Sequence, residues 1–140
     1  MASRKILYVC QEIMPYLPET ELSHLSRHLV QAMQERGNEI RTFMPRYGCI
    51  NERRNQLHEV IRLSGMNLII DDNDHQLIIK VASIPSARIQ IYFIDNDDFF
   101  ARKAVLTDAD GNEFEDNDER AIFFARGVLE TVKKLNWSPN

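Results

Sequence analysis

The first 46 residues alternate between apolar runs and helical spacing, which predicts a βαβ unit. Residues 6–10 are all apolar and include β-branched and aromatic side chains, as is typical of a parallel strand buried on both faces. Thr20 is a good helix N-cap and Gly37 a good stop, so a helix of about four turns is expected between them. Its predicted core-facing stripe consists of Leu22, Leu25, Leu29 and Met33. Residues 38–45 are extended again, and we expect a right-handed crossover to this second strand.

The segment between the first strand and the helix predicts an ordered loop. Residues 12–19 contain Pro15 and Pro18, which fit neither a ladder nor a helix interior. Ligands of open α/β sheets bind beyond the carboxyl ends of the strands. We therefore expect a ligand at residues 11–20. The polar segment 46–56 leaves the second strand at the same edge.

The middle of the chain predicts a β-hairpin followed by a third core strand. Two extended stretches, 60–70 and 77–84, flank the turn formers at 71–74. Residues 88–95 are largely apolar and are expected to form the third strand of a parallel core.

The last third of the chain predicts a long helix after a loop. Residues 97–102 suit a short helical turn, and residues 108–112 suit a loop. We expect Asp116 or Asn117 to cap the last helix and Arg120 to pair with Asp116. The predicted inward stripe of that helix is Ala121, Phe124, Ala125, Val128, Val132 and Leu135.

The size and charge of the chain narrow its fold and its partners. Its 140 residues suit a single domain, 1–140, which we predict to be Rossmann-like: three α/β/α layers, a mostly parallel sheet and an inserted hairpin. A formal charge of -4 argues against nucleic acid as a partner. No signal peptide opens the sequence and no stretch is long enough to span a membrane. Cys10 lies in a predicted strand and Cys49 in a loop, so we expect no disulfide framework and a cytoplasmic protein.

Two features resemble metal sites without completing one. The acidic turn at 71–74 lacks the glycine and the bidentate glutamate of an EF-hand. His24 and His28 lie four residues apart on the predicted helix, but the sequence indicates no third ligand, and a solvated helix face explains them. We therefore expect neither a metal nor another cofactor.

Arg46 and Tyr47 are the clearest functional candidates from position alone. They follow the carboxyl end of the second strand, where no apolar stripe is expected to bury them. Asp116 and Asn117 lie at a helix start, where capping explains both residue types. The sequence contains no nucleophile elbow, Walker loop or dinucleotide-binding glycine motif, which argues against an independent enzyme.

The order of short motifs resembles that of bacterial glycogen synthases and plant starch synthases, the retaining glucosyltransferases of glycosyltransferase family 5. Residues 11–16 resemble the family's (S/Q)-E-x-x-P-(F/Y), Arg36 and Gly37 match the end of its first helix, and residues 45–48 read P-R-Y-G. The resemblance continues at Phe99, Phe100 and Arg102 and is densest at 113–130. It covers nearly the whole chain.

This resemblance implies that the chain corresponds to most of the N-terminal, acceptor-side half of a GT-B fold. The family reaction transfers glucose from ADP-glucose to the end of an α-1,4-glucan, so a nucleotide sugar and an α-glucan are the implied partners. The substrate-binding residues implied by resemblance are Glu12, Pro15, Tyr16, Arg46, Tyr47, Asp116 and Asn117. The family's catalytic segment and second domain follow a motif that resembles the final LNWSPN. We therefore expect this chain alone to be inactive, to expose an unpaired strand edge or apolar surface, and to form a homodimer at high concentration.

The donor-binding loop departs from the family pattern. Where the family has K-x-G-G-L, this chain has Pro18 at the lysine and Thr20 and Glu21 at the paired glycines. The change removes a cation and adds a carboxylate where backbone would approach a diphosphate. Glu21 also suits the first turn of a helix. These differences favour a second interpretation, in which the chain is a non-catalytic module that binds a glycan or a protein.

Overall fold

The computed structural model describes residues 2–140 and has an α/β architecture built on a mixed five-stranded sheet. The elements are β1 (Lys5–Val9), α1 (Glu21–Glu35), β2 (Glu39–Pro45), β3 (His58–Glu59), a short 3-10 helix (Ile61–Leu63), β4 (Asn67–Ile70), β5 (Asn73–Gln76), β6 (Ile78–Ile84), β7 (Ile89–Asp95), α2 (Asp97–Phe100) and α3 (Asn117–Lys134). The sheet has the order β1-β2-β7-β6-β3, while β4 and β5 form a separate pair. Strands β1, β2 and β7 are parallel, β6 is antiparallel to β7, and the two-residue β3 is antiparallel to β6. The predicted α/β class is confirmed, but the sheet is mixed.

The two long helices cover opposite faces of the sheet. On one face, the Tyr8 hydroxyl of β1 is hydrogen-bonded to Ser26 of α1 at 3.2 Å. On the other, a Cβ at Gly127 of α3 would lie 2.8 Å from a side-chain carbon of Ile94 in β7. In the strand register Tyr8 lies beside Thr42, and Thr42 beside Ile91, so the three side chains point to one face of the sheet. Ile94 is three residues after Ile91 and therefore points to the other face. The three predicted layers are therefore present.

Strand β1 lies at the edge of the sheet and is not buried on both faces. Its residues are half-buried or exposed, and the side chain of Val9 is 47% exposed. Arg4 and Cys10 use their backbone groups to bond β2, and by alternation the backbone groups of Leu7 and Val9 point to the free side. The apolar sequence of this strand predicted its conformation correctly and its burial wrongly.

Helix α1 begins and ends where the sequence predicts, but it packs through a different face. The Thr20 hydroxyl accepts a hydrogen bond from the Ser23 backbone at 3.0 Å, and the Ser23 hydroxyl accepts one from the Thr20 backbone at 2.8 Å, forming a capping box. The residues buried against the sheet are Ser23, Ser26 and Val30. The predicted stripe is wrong: Leu22, Leu25 and Leu29 are 42%, 57% and 40% exposed. Two serines, small and hydrogen-bonded, let the helix approach β1 closely.

The predicted hairpin exists with a shorter second arm. Its turn is Asp71-Asp72, both with positive φ (50° and 62°), as in a two-residue type I′ turn. Residues 73–76 form the returning strand β5. Residues 77–84 were predicted as the second arm, but residues 78–84 form β6 of the main sheet, antiparallel to β7 along its whole length. The apolar pattern identified the strand but not its partner.

Helix α3 packs through part of the predicted stripe, since Val128 is buried and Phe124, Val132 and Leu135 are half-buried against the core. Its buried residues are Arg120, Phe123, Gly127, Val128 and Thr131, whereas Ala121 and Ala125 are exposed. Gly127 faces inward because its missing side chain allows α3 to pack against β7 and the side chain of Leu77. The sequence pattern favoured alanine at the interface, and the structure uses glycine and threonine there.

Residues 2–140 contain two cysteines and a close pair of histidines. Cys10 is buried and Cys49 exposed, and neither forms a disulfide. The rings of His24 and His28 lie 4.2 Å apart, yet no group of three or more potential metal ligands comes together within the described residues. No helix of the described chain has both the length and the apolar character needed to cross a membrane.

Candidate functional site

A cavity of about 160 Å³ lies at the carboxyl ends of β1 and β2, the edge where a ligand is expected. Three aromatic rings and three hydrogen-bonding side chains contribute to its wall. The lining residues are Gln11, Pro45, Tyr47, Phe100, Leu106, Asn117, Arg120, Ala121 and Phe124. Apolar walls with a few polar groups are typical of small-molecule sites. The volume is below the roughly 300 Å³ needed to enclose a drug-sized ligand, so the cavity suits one end of a larger molecule.

Tyr47 is fixed in the cavity wall by the loop that follows β2. Its ring packs edge-on against Phe100 with the ring centroids 6.0 Å apart. Next to it, a Cβ at Gly48 would clash with the carbonyl of Arg102 and lie 2.6 Å from that of Ala101. Glycine is thus required at position 48 by close backbone packing. Burial raises the pKa of the Tyr47 hydroxyl above its usual range, so Tyr47 stays protonated at physiological pH.

Arg120 supplies a buried cation to the cavity wall. Its Nε donates to the Phe99 carbonyl at 2.8 Å, and its Nη1 donates to the Val105 carbonyl at 2.7 Å and to the Asn117 side chain at 2.8 Å. The Nη2 group is buried and has no hydrogen-bond acceptor within residues 2–140. Burial lowers the pKa of Arg120 from its usual value, with a further contribution from the charge of Arg102.

Asp116 neither caps α3 through its side chain nor pairs with Arg120, as the sequence had suggested. Its carboxylate is bound by both terminal nitrogens of Arg102, with an Nη2 to Oδ2 distance of 2.6 Å. These hydrogen bonds hold the pKa of Asp116 below its usual value. Asn117 does line the cavity, but its amide nitrogen donates to the Leu106 carbonyl. Both residues therefore have defined structural partners.

Arg46 is buried in an ion-pair network of four charged residues rather than exposed at the edge. Its Nη2 lies 2.9 Å from Oδ1 of Asp95, a fully buried residue at the end of β7. Lys80 of β6 contacts the other oxygen of Asp95 at 3.0 Å and Glu52 at 2.7 Å. The expectation that nothing would bury Arg46 and Tyr47 is wrong, since they are 7% and 3% exposed. The countercharges come from distant segments that local sequence does not reveal.

The remaining candidates lie beside a second cavity, of about 310 Å³, between the loops that follow β1 and β2. Pro15, Tyr16 and Pro18 line it together with Arg54. Tyr16 packs edge-on against Phe93 with centroids 4.9 Å apart, and burial raises the pKa of its hydroxyl to about 12. That hydroxyl has no hydrogen-bond partner among the described residues.

The structure thus divides the candidates between two places. Tyr47 and Asn117 meet at the first cavity, Pro15 and Tyr16 at the second, and half-buried Glu12 lines neither. Gln11 and Phe124 line the first cavity but were not singled out as site residues from the sequence. Gln11 could have been predicted as a site residue only from its position just beyond the first strand. No feature of the sequence distinguished Phe124 from the other residues of its helix.

The residues of the altered loop serve the start of α1. Thr20 forms the capping box, and Glu21 is an exposed first-turn acid. Pro18 is exposed, and its carbonyl accepts a hydrogen bond from the Ser23 hydroxyl at 3.2 Å. The hydrogen bonds that cap α1 therefore fix the backbone of residues 18–20, and Thr20 is extended as an N-cap residue.

The comparisons with known proteins agree on one family. A family model described as starch synthase catalytic domain matches residues 5–140. The chain is 40% identical to the glycogen synthase of Chlorobium limicola and 39% identical to that of Chlorobaculum tepidum, each over 137 residues. These matches cover 97% of this chain but 28% of each relative, so the chain spans little more than a quarter of their length.

A solved structure shares the fold. The catalytic domain of starch synthase IV from Arabidopsis thaliana, bound to ADP and acarbose, superposes with a TM-score of 0.82 at 18% identity. The match covers 99% of this chain and 27% of that one. The family and the GT-B fold predicted from the motif order are confirmed. This chain belongs to the starch synthase catalytic domain family and is a glycogen or starch synthase-like domain.

Proposed function

We propose that this chain is most of the acceptor-side half of a glucosyltransferase that elongates an α-1,4-glucan from ADP-glucose. The likeness over 99% of the chain to a starch synthase domain bound to ADP and acarbose carries the proposal. In this proposal a glucan end lies at the cavity formed by Tyr47, Gln11 and Asn117, where aromatic faces and amides suit a sugar ring and its hydroxyls. Glu12, Pro15 and Tyr16 remain proposed substrate contacts by resemblance.

Arg46 and Asp116 are proposed to act indirectly. Both carry ion pairs, Arg46 with Asp95 and Asp116 with Arg102, so each is a positioning residue rather than a free ligand contact. Arg46 anchors the loop that holds Tyr47, while Asp116 joins the segment after α2 to the start of α3. The remainder of the donor site and the catalytic groups would come from polypeptide beyond these 140 residues.

The activity test uses labelled ADP-glucose and glycogen. We expect no transfer by the 140-residue chain above a no-protein control, because the family reaction takes place between two domains and this chain corresponds to part of one. Transfer that is lost in Tyr47→Ala would show that the chain holds a complete site and would contradict the proposal.

The binding test uses maltotetraose and a pair of matched variants. Ala121 is exposed and lines the cavity, whereas Ala125 is exposed one turn later and does not. We expect millimolar affinity, equivalent to about 4 kcal/mol, that is lost in Ala121→Trp and kept in Ala125→Trp. Equal affinity in both variants would place the glucan elsewhere.

A second candidate function is a non-catalytic module that binds glycan or protein. The ordered capping role of Thr20 and the exposed carboxylate of Glu21 favour it, because neither offers a phosphate site. Glucan binding by the native full-length protein without glucose transfer would support this candidate. We further propose a cytoplasmic location, which fits two free cysteines, and a homodimer at high concentration.

A further inference from the structure

The first cavity contains a buried positive charge without a negative partner. Arg120 is 3% exposed, and no carboxylate within the described residues lies within ion-pair distance of its guanidinium. Backbone carbonyls and the rings of Phe114 and Phe100, at 5.1 and 5.3 Å, surround it instead. Buried charges in proteins are normally paired, so the arrangement is incomplete as a structural ion site.

The donor capacity of Arg120 is incomplete in the same way. A guanidinium has five N–H groups, and Nη2 carries two of them. In residues 2–140 this Nη2 is buried without an acceptor, although Arg120 lines the cavity beside Asn117 and Gln11. Leu106, which is 42% exposed, and half-buried Phe124 are apolar residues of the same wall. A ligand reaches Nη2 if side chains of the wall move aside.

The acidic residues nearby form no ion pair with Arg120 among the described residues, although the charge of Asp116 raises the pKa of Arg120 from a greater distance. Asp116 is held by Arg102 through two hydrogen bonds. Glu12 is close enough for its charge to raise the pKa of Tyr47, but it does not line the cavity. Asp118 and Glu119 lie in the first turn of α3 outside the lining set. The cavity also borders the amino-terminal turn of α3, whose peptide dipoles add positive potential.

We propose that this cavity binds a small oxyanion, a phosphate or carboxylate group carried by a sugar-sized molecule, with Nη2 of Arg120 as its principal donor. The anion supplies both the missing acceptor and the missing negative charge. The aromatic walls formed by Tyr47, Phe100 and Phe124 accommodate the ring that carries the group. This inference does not rest on the proposed glucan activity, because it follows from the charge and hydrogen bonds of Arg120.

Titration calorimetry with four probes separates the possible ligands. Inorganic phosphate and glucose 6-phosphate test the phosphate group with and without a sugar, and glucuronate tests a carboxylate. Glucose is the neutral control. We expect glucose 6-phosphate or glucuronate to bind at least about tenfold more tightly than glucose, the difference that one charge-assisted hydrogen bond supplies. Inorganic phosphate binding alone would identify a free-ion site of the same chemistry.

The variants avoid Arg120 itself, since its removal would leave three hydrogen-bond acceptors unpaired in the core. Ala121→Glu places a carboxylate at the cavity, and Ala125→Glu places the same charge one turn along the same helix. We expect the first variant to weaken anion binding about tenfold or more through like-charge repulsion and the second to change it less than about twofold.

Two results would overturn the inference. One is that no anion binds better than glucose, which would leave the glucan proposal intact if maltotetraose still binds. The other is that anions bind equally well to both glutamate variants, which would place them outside this cavity. Anion binding that is lost only in Ala121→Glu, with or without maltotetraose binding, supports it.

Discussion

At the level of single residues, the polar side chains near the sheet edge differ in whether they have protein partners. Arg46 and Asp116 resemble ligand-binding residues in sequence, yet Asp95 and Arg102 occupy them. Arg120 was interpreted as a partner of Asp116, but its Nη2 is instead a buried donor without an acceptor among the described residues. Residue type and chain position were therefore enough to find the region, but the division of roles depends on contacts between segments far apart in sequence.

Gly48 provides a residue-level prediction. Gly48→Ala would push a methyl group against two backbone carbonyls, which cannot move away by a side-chain rotation. We expect a loss of about 2–3 kcal/mol in the free energy of unfolding. Gly127→Ala is the comparison, because its Cβ would meet only side-chain atoms and α3 would gain about 1 kcal/mol of helix propensity. Urea unfolding should show the larger loss for Gly48→Ala. Equal losses would mean that the loop after β2 adjusts freely.

At the level of elements, the sequence predicted where helices and strands lie better than which face they bury. Caps and glycines determine the ends of α1, and Thr20 and Gly37 were identified correctly. The inward face of α1 was wrong because Ser23 and Ser26 repeat with the same helical spacing as the leucines. Periodicity alone gives several possible faces, and the small, hydrogen-bonded one allows closer packing against β1.

The loop before α1 gives the element-level prediction. Pro18→Lys, Thr20→Gly and Glu21→Gly together restore the family pattern. We expect tighter ADP-glucose binding and a lower melting temperature, because the capping box is lost and glycine in the first turn costs up to about 1 kcal/mol. In the unmodified chain we expect affinity no tighter than millimolar.

Thr20→Gly alone serves as the control for that triple variant. It should lower the melting temperature without improving ADP-glucose affinity, since the cation is still missing. Micromolar ADP-glucose affinity in the unmodified chain, measured by calorimetry, would contradict the interpretation of the loop as degenerate.

At the level of the whole molecule, three parallel strands and two flanking helices followed from the sequence, whereas the place of β6 did not. An apolar strand can pair with any neighbour of suitable length, and β6 pairs with β7 rather than with the segment before it. An unpaired strand edge was expected from the sequence. The structure has β1 at the edge of the sheet, although the apolar pattern of β1 had predicted burial on both faces. The exposed leucines of α1 add an apolar face to the molecule on the side of the sheet where Tyr8 meets Ser26.

Self-association is the prediction at this scale. The free edge of β1 and the exposed Leu22, Leu25 and Leu29 favour pairing between two copies, so we expect dimers at high concentration. Leu25→Lys should weaken the dimer, whereas Leu129→Lys, an equally exposed leucine on α3, should leave it unchanged. Light scattering over a wide concentration range measures both. A strictly monomeric mass throughout would refute the association.

The ion-pair network of buried Arg46 and Asp95 with half-buried Glu52 and Lys80 has a consequence for sequence variation. Replacing Arg46 or Lys80 leaves the fully buried carboxylate of Asp95 with one partner fewer, and such a charge is costly to keep. A neutral residue at position 80, for example, is tolerated more easily once position 52 is neutral as well. These four positions, although up to 49 residues apart along the chain, should therefore change together over evolutionary time, and intermediates with only one replacement should be rare.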